Sequence, residues 1–248
     1  IGTSDSKSNS TFLNDDEYDR SFQQTIFGGL RLSDQWQMGA RLGWHMRDKQ
    51  VFGASNGASG IGDSHFFLTY EPLTNFSVTA SILVPTAENV HESKESLQTD
   101  AFGRGLWVPG ISFLYTYVTG LWDIHAESNV RFSAGRTFNR PLLGDLDVSH
   151  SWGLSALTGV GYQWGESQVR TGLSVGAHWD QGFTEKDRFQ SRSLPARLAW
   201  DVIADLNVPL SSDIRLGLSY KDQTLLGPTQ NSELSRSLTL LLSKSWSL

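Results

Sequence analysis

The sequence predicts an all-β protein, a single closed antiparallel transmembrane β-barrel of twelve strands. Three observations predict it: apolar residues recur with period two over long segments, connections alternate between short and long, and tryptophans gather near strand ends. Composition is compatible with this. The chain has 248 residues, 38% hydrophobic and 19% charged, with 24 glycines, nine tryptophans and no cysteine. An ordinary domain is about 45–50% apolar and about 25% charged, so the apolar residues here are few and must be dispersed. No stretch approaches the roughly 18 consecutive apolar residues of a transmembrane helix. Without cysteine there is no disulfide, thiolate metal site or cysteine nucleophile. A net charge of −6 with scattered Lys and Arg argues against nucleic acid as a partner. The start at Ile1, with no Met and no apolar leader, reads as a mature or trimmed chain.

Successive side chains of a strand point to opposite faces, so each period-two segment is a strand with one apolar face. The first is 22–32. In 35–47, Trp36, Met38, Ala40, Leu42, Trp44 and Met46 share one face, and Gln37, Gly39, Arg41, Gly43, His45 and Arg47 the other. Segments 64–71, 75–84 and 106–118 follow with weaker alternation. The pattern is clear again at 122–134, from Trp122 to Phe132, weaker at 150–164, and clear at 167–179, with Val169, Leu173, Val175 and Trp179. Segment 194–208 carries Leu198, Trp200 and Val202; 213–223 is weaker; 236–248 ends with Leu238, Leu240, Leu242, Trp246 and Leu248. Eleven strands are readable, most longer than the ~5–6 residues typical of globular sheets.

Tight turns are predicted near 33–34, 72–74, 119–121, 165–166 and 210–212, and longer polar loops near 48–61, 86–104, 139–149, 180–193 and 224–234. Short periplasmic turns and longer outer loops are the pattern of a bacterial outer-membrane barrel. A β-sandwich would show shorter strands without this alternation. The alternation puts the last strand's end in the periplasm and makes 22–32 a descending strand. An even count then needs one more ascending strand before it. Residues 1–20 supply either that weak first strand, a plug in the lumen or a disordered segment; the barrel domain spans 1–248.

The tryptophans fall into two outward rings, the expected aromatic girdles at the two membrane interfaces. Trp36, Trp122, Trp164 and Trp246 lie at the turn end, and Trp44, Trp152, Trp179 and Trp200 at the loop end. The opposite parity lines the lumen. Its charged and histidine members include Arg41, His45, His125, Glu127, Arg131, Arg170, His178, Arg197, Asp201, Asp205 and Arg215. Both signs are present, so composition names no anionic or cationic solute. Asp205 and Arg215 are expected to pair across the hairpin at 210–212, and Asp123, His125 and Arg170 to share a depth. Arg41, Glu127 and Asp201 are candidates for a cross-lumen network, which either rigidifies the barrel or constricts it. Many glycines carry inward parity, which relieves crowding on the concave side.

Catalytic patterns are missing. The six histidines form no two-histidine metal motif and no His-x-Ser pair, and there is no nucleophile elbow. His178 with Asp180 is the nearest approach to a general-base pair. The chain is read as no enzyme, with no cofactor and no metal.

Residues 25–90 carry a resemblance. A strand ending Leu32-Ser33-Asp34 leads into the alternating Gln35–Leu42 segment; Ser59-Gly60-Ile61-Gly62-Asp63 opens the next strand; the following one ends Leu83-Val84-Pro85-Thr86. This order resembles the outer-membrane family labelled the MetA pathway of phenol degradation, in which a Gly-x-Gly-Asp begins one strand and a Pro-Thr-Gly closes the next. Ala87 stands in place of that last glycine. The resemblance implies a barrel and passive uptake of aromatic or other apolar small molecules. Read from the residues alone, Gly60 and Gly62 permit an unusual backbone and Asp63 can bond neighbouring amides, making this a loop anchor or a lid at the outer mouth.

The expectation is therefore a channel or facilitator for small solutes in the bacterial outer membrane, in contact with outer-membrane lipid and lipopolysaccharide. The other readings are a plugged barrel anchoring an envelope protein partner and, third, an outer-membrane hydrolase.

Overall fold

A computed structural model describes residues 2–6, 18–51, 53–89, 91, 93, 98–140, 144–165, 168–223, 225–226 and 236–244. Its strands are β1 (Gly2–Ser6), β2 (Tyr18–Arg31), β3 (Trp36–Val51), β4 (Ala54–Ile61), β5 (Ser64–Leu73) and β6 (Phe76–Val84). Next come β7 (Val108–Thr119), β8 (Trp122–Ser133), β9 (Arg136–Arg140), β10 (Gly144–Val148), β11 (Ser151–Trp164) and β12 (Val169–Asp180). Last are β13 (Phe183–Lys186), β14 (Ser191–Leu194), β15 (Arg197–Pro209), β16 (Ile214–Asp222) and β17 (Arg236–Lys244). All eleven segments read from the alternation are strands. Leu248 and Trp246 lie outside the described residues.

One large antiparallel sheet runs in the order β2-β1-β17-β16-β15-β12-β11-β8-β7-β6-β5-β3-β4, and β2 also pairs with β3. Between β11 and β12 the register holds over twelve rows, from Gly153↔Asp180 to Trp164↔Val169. β1 pairs with β17 through Thr3↔Leu238 and with β2 through Thr3↔Phe22. Within the first segment, residues 2–6 form a short strand. β4 and β5 pair with successive parts of β3, Trp44↔Ile61 and Trp36↔Tyr70, so they act as one strand broken at Gly62 and Asp63. The amide of Gly62 still bonds the Gly43 carbonyl at 2.8 Å, which carries the ladder across the break.

Three expected loops prove to be strand hairpins. Residues 48–61 extend β3 into β4, and 139–149 and 180–193 contain the β9–β10 and β13–β14 hairpins. The last two form a second sheet, β14-β13-β10-β9. Its polar residues hid a short apolar alternation, Phe138 on β9 with Leu146 and Val148 on β10. Those three, Leu106 and the partly buried Phe183 form a hydrophobic cluster, with Phe138 1% and Leu106 2% exposed. Burying such side chains stabilises by roughly 1.5–3 kcal/mol each, enough to order hairpins beyond the end of the large sheet.

The large sheet has the opposite distribution. Ile26, Met38, Leu42, Phe66, Leu68, Ile124, Leu154, Leu173, Val175 and Leu240 are all exposed on its Trp-bearing face. Seven of the eight girdle tryptophans are described, and they are 37–55% exposed. At the turn end Trp36 stacks on Tyr70 with centroids 4.6 Å apart, and Trp122 meets Tyr162 at 4.7 Å. At the loop end Phe132 and Trp152 meet at 4.9 Å. Trp36 and Trp44 are eight residues apart on β3, about 27 Å of strand, or about 19–22 Å along the membrane normal at a tilt of about 35–45°, so the two rings lie just inside the edges of an apolar band of about 25 Å.

Candidate functional site

Residues directly opposite each other on paired strands point to the same side, so the registers build rows across the inner face. The row nearest the loops is Arg131, Gly153, Asp180 and Arg197, on β8, β11, β12 and β15. Arg131 Nη2 donates to Asp180 Oδ1 at 2.6 Å across the gap left by Gly153. Two rows deeper lie Leu114, Glu127, Leu157, Gly176 and Asp201. Asp201 is held by Gln223 at 2.7 Å, Lys221 at 2.9 Å and His178 at 3.4 Å.

Toward the turns, Arg170 clamps two carboxylates. Its Nε and Nη2 donate to Asp123 at 2.6 and 2.7 Å, and Nη1 donates to Asp205 at 2.6 Å. Gly161 and Gly172 lie beneath this triad, where a Cβ would collide with Arg170, Asp123 or Asp205. The inward glycines thus make room for a charged cluster as well as for curvature. At the turn-end mouth Arg215, Gln163, Gln168, Arg170 and Asn207 line a cavity of about 520 Å³. On the other wall, Arg41 lies opposite Phe27 and His65, and His45 opposite Gln23 and Gly60.

Two expected contacts are not formed. Asp205 lies opposite Ser219, and Arg215 opposite Pro209. The turn spans 210–213, so Arg215 sits too near it to reach Asp205, which Arg170 takes from the other side. Nor do Arg41, Glu127 and Asp201 form a network. Neighbouring β16 offers Asp201 Lys221, a shorter reach than any group across the lumen, and Arg41 and Glu127 have no ion pair among the described residues.

Several inner-face residues escaped the sequence reading because they are apolar. Phe27, Leu114, Val118 and Leu241 face inward and are 45%, 39%, 66% and 41% exposed. Phe67 projects over Gly39, and Leu157 over Gly176. Apart from Leu241 on β17, they lie on strands whose alternation is weak because both faces are apolar there. The inner surface is therefore a mixture of paired charges and accessible apolar side chains.

His125 Nε2 lies 3.0 Å from Ser174 Oγ, and its Nδ1 lies 3.7 Å from Asp123. This resembles a hydrolytic triad in composition only. The acid is beyond hydrogen-bond distance of the imidazole, Arg170 occupies both its oxygens, and Ser174 is buried. His178 serves Asp201, leaving the His178–Asp180 pair unformed.

After β6, residues 102–105 cross the loop-end mouth. Asp63 accepts the amide of Ala87 at 3.1 Å and also bonds the amides of Arg104 and Thr86. Phe102 stacks on His45 at 5.7 Å and fills the space over Gly60. Two residues on, the Arg104 guanidinium lies over the Phe183 ring at 4.9 Å, just beyond β12. Gly105, at φ +70, turns the chain beneath Phe138, and Arg136 Nη1 donates to its carbonyl at 2.9 Å. Gly60, Gly62 and Asp63 thus sit where this crossing segment meets the wall. Five strands separate β3 from β12 in the sheet order, about 29 Å along a flat sheet at ~4.8 Å per strand. Three consecutive residues join those walls because the sheet curls around them.

Such a curled antiparallel sheet, apolar outside and polar within, has counterparts among solved structures. An outer membrane channel from Pseudomonas putida F1 is similar with a TM-score of 0.72 and 13% identity, over 98% of this chain and 91% of that one. The β domain of the Bordetella autotransporter BrkA is similar at 0.52 and 11% identity, over 99% of this chain and 97% of the other. The fold is that of outer-membrane barrels. It places the chain, with its exposed apolar belt, in the bacterial outer membrane. No protein-family profile matches the sequence, and no curated protein does.

Proposed function

We propose that the chain is a closed twelve-stranded barrel that works as a channel or facilitator for passive passage of small solutes, aromatic and apolar ones included. The pairing of β1 with both β17 and β2, together with β2–β3, supports closure and the count. One observation carries the function: Phe27, Leu114, Val118 and Leu241 stand accessible on the inner face beside paired charges. Such a wall offers an apolar molecule contacts on which most charges are paired, with Arg41 and Glu127 the exceptions beside Phe27 and Leu114. The resemblance of residues 25–90 to the phenol-degradation family supports the same solute class. Chemistry is not part of this reading, since the Ser–His–Asp grouping found among the described residues lacks a working geometry. Lipid and lipopolysaccharide would cover the belt.

The crossing segment favours a second reading, a plugged barrel that anchors an envelope partner. Proteoliposome swelling separates the two. A channel admits small uncharged sugars and causes swelling, faster after Asp63→Ala loosens the crossing segment. No swelling by wild type or variant, with a stoichiometric partner in the purified material, would sink the channel reading.

A further inference from the structure

We infer that Trp122, Tyr162 and Trp164 form a headgroup site on the lipid-facing wall that holds one phospholipid with an ammonium head in preference to an anionic one. The inference rests on the lipid-facing belt and not on the channel reading.

The three rings stand on neighbouring strands. Trp122 on β8 lies directly opposite Tyr162 on β11, and Trp164 follows two residues on, on the same face. Trp122 and Tyr162 meet at 4.7 Å and 59°, and Trp164 meets Tyr162 edge-on at 5.1 Å. Trp164 Nε1 donates to Thr171 Oγ1 on β12 at 3.0 Å, which fixes that ring's orientation. With Val160, Leu173 and the backbone at Gly161 and Gly172, these groups line a cleft of about 660 Å³. That volume is in the range of small-ligand sites. Trp122, Val160, Trp164 and Leu173 are 40–55% exposed, so the cleft is open to an occupant. Elsewhere at this end of the sheet Trp36 stacks on Tyr70 as a pair.

Two features select the occupant. The cleft opens outward at the turn end, and the short turns of such barrels lie in the periplasm, so it meets the headgroups of the periplasmic leaflet. It is also lined without charge. The outward positions around it, Tyr117, Ile124, Val169, Thr171 and Leu206, are uncharged. Asp123, Arg170 and Asp205 face the lumen and pair with one another. Glu166, in the turn after Trp164, lies outside the described residues. Ring faces attract an ammonium group, whereas an anionic head finds no counter-charge among these side chains. Tyr162 adds a hydroxyl that can donate to a lipid phosphate. Val160 and Leu173 lie opposite each other one step toward mid-strand, where an acyl chain continues from the headgroup.

The test is native mass spectrometry of the purified full chain, released from micelles holding equal amounts of phosphatidylethanolamine and phosphatidylglycerol. The wild type should retain one phosphatidylethanolamine and favour it by roughly two- to fivefold, as one partly exposed cation–π contact gives. Trp122→Ala with Trp164→Ala should bring the ratio close to one. Trp122→Phe with Trp164→Phe, which keeps the ring faces, should retain most of it, and Trp36→Ala should leave it unchanged. Thermal unfolding in detergent verifies folding of each variant. Equal retention of the two lipids by the wild type overturns the inference without any variant. So does a preference that survives the double alanine variant, or one lost equally in Trp36→Ala. None of these outcomes touches the channel reading, which swelling tests by itself.

Discussion

Arg170 is the side chain on which two neighbouring carboxylates depend. It bridges Asp123 on β8 and Asp205 on β15 across β11 and β12, with all three groups largely shielded from water. Arg170→Met should leave two acids facing each other. The cost is about 2–3 kcal/mol, below the ~3–5 of a fully buried broken pair because 17–27% of these side chains stays exposed. Thermal unfolding in detergent at low salt measures it. Gly161→Ala should lose a similar amount, since its methyl would displace Arg170 and Asp123. An unchanged midpoint in either variant would mean the triad adds nothing. The depth shared by Asp123, His125 and Arg170 was legible from parity and distance to the turn. Arg170's choice of Asp205 was not, because a parity argument ranks residues by depth and says nothing of which partner is nearest. The same limit produced the expected Asp205–Arg215 pair.

At the scale of elements, long strands and short turns were legible because lipid-facing positions must be apolar at every second residue. The broken strand β4–β5 and the second sheet were not, because hairpins beyond the membrane need no such alternation. The order of the second sheet comes from one small cluster around Phe138. Phe138→Ala should cost about 3–5 kcal/mol locally, seen as new proteolytic cleavage within 136–148 and 183–194. The large sheet should remain intact, because no residue of the cluster belongs to it. Cleavage unchanged from wild type would show that the second sheet does not depend on this packing. The crossing segment depends on Asp63, whose carboxylate ties three amides. Asp63→Ala should increase current noise and mean conductance, whereas Asp63→Asn, which keeps an acceptor oxygen, should resemble the wild type. Equal behaviour of the two variants would remove Asp63 as the anchor.

Across the whole molecule, the short strand β1 decides whether the wall closes. The chain has no cysteine, so engineered pairs report without background. Thr3→Cys with Leu238→Cys, and separately Thr3→Cys with Phe22→Cys, should each give a disulfide-shifted band under mild oxidation, following the two registers of β1. Failure of both would leave residues 1–20 to the plug or a disordered segment. The sparse hydrophobic content, 38% of the chain, is consistent with a closed wall, since lipid is met by alternate residues only. Inside that wall Arg41 and Glu127 have no ion pair among the described residues, and at mid-depth either can hinder passage. The most direct test of a solute-conducting barrel is single-channel recording of the purified chain in planar bilayers. The account predicts steady unitary currents that rise when Arg41 and Glu127 are both replaced by alanine. A correctly folded barrel that stays electrically silent, before and after those replacements, would contradict it.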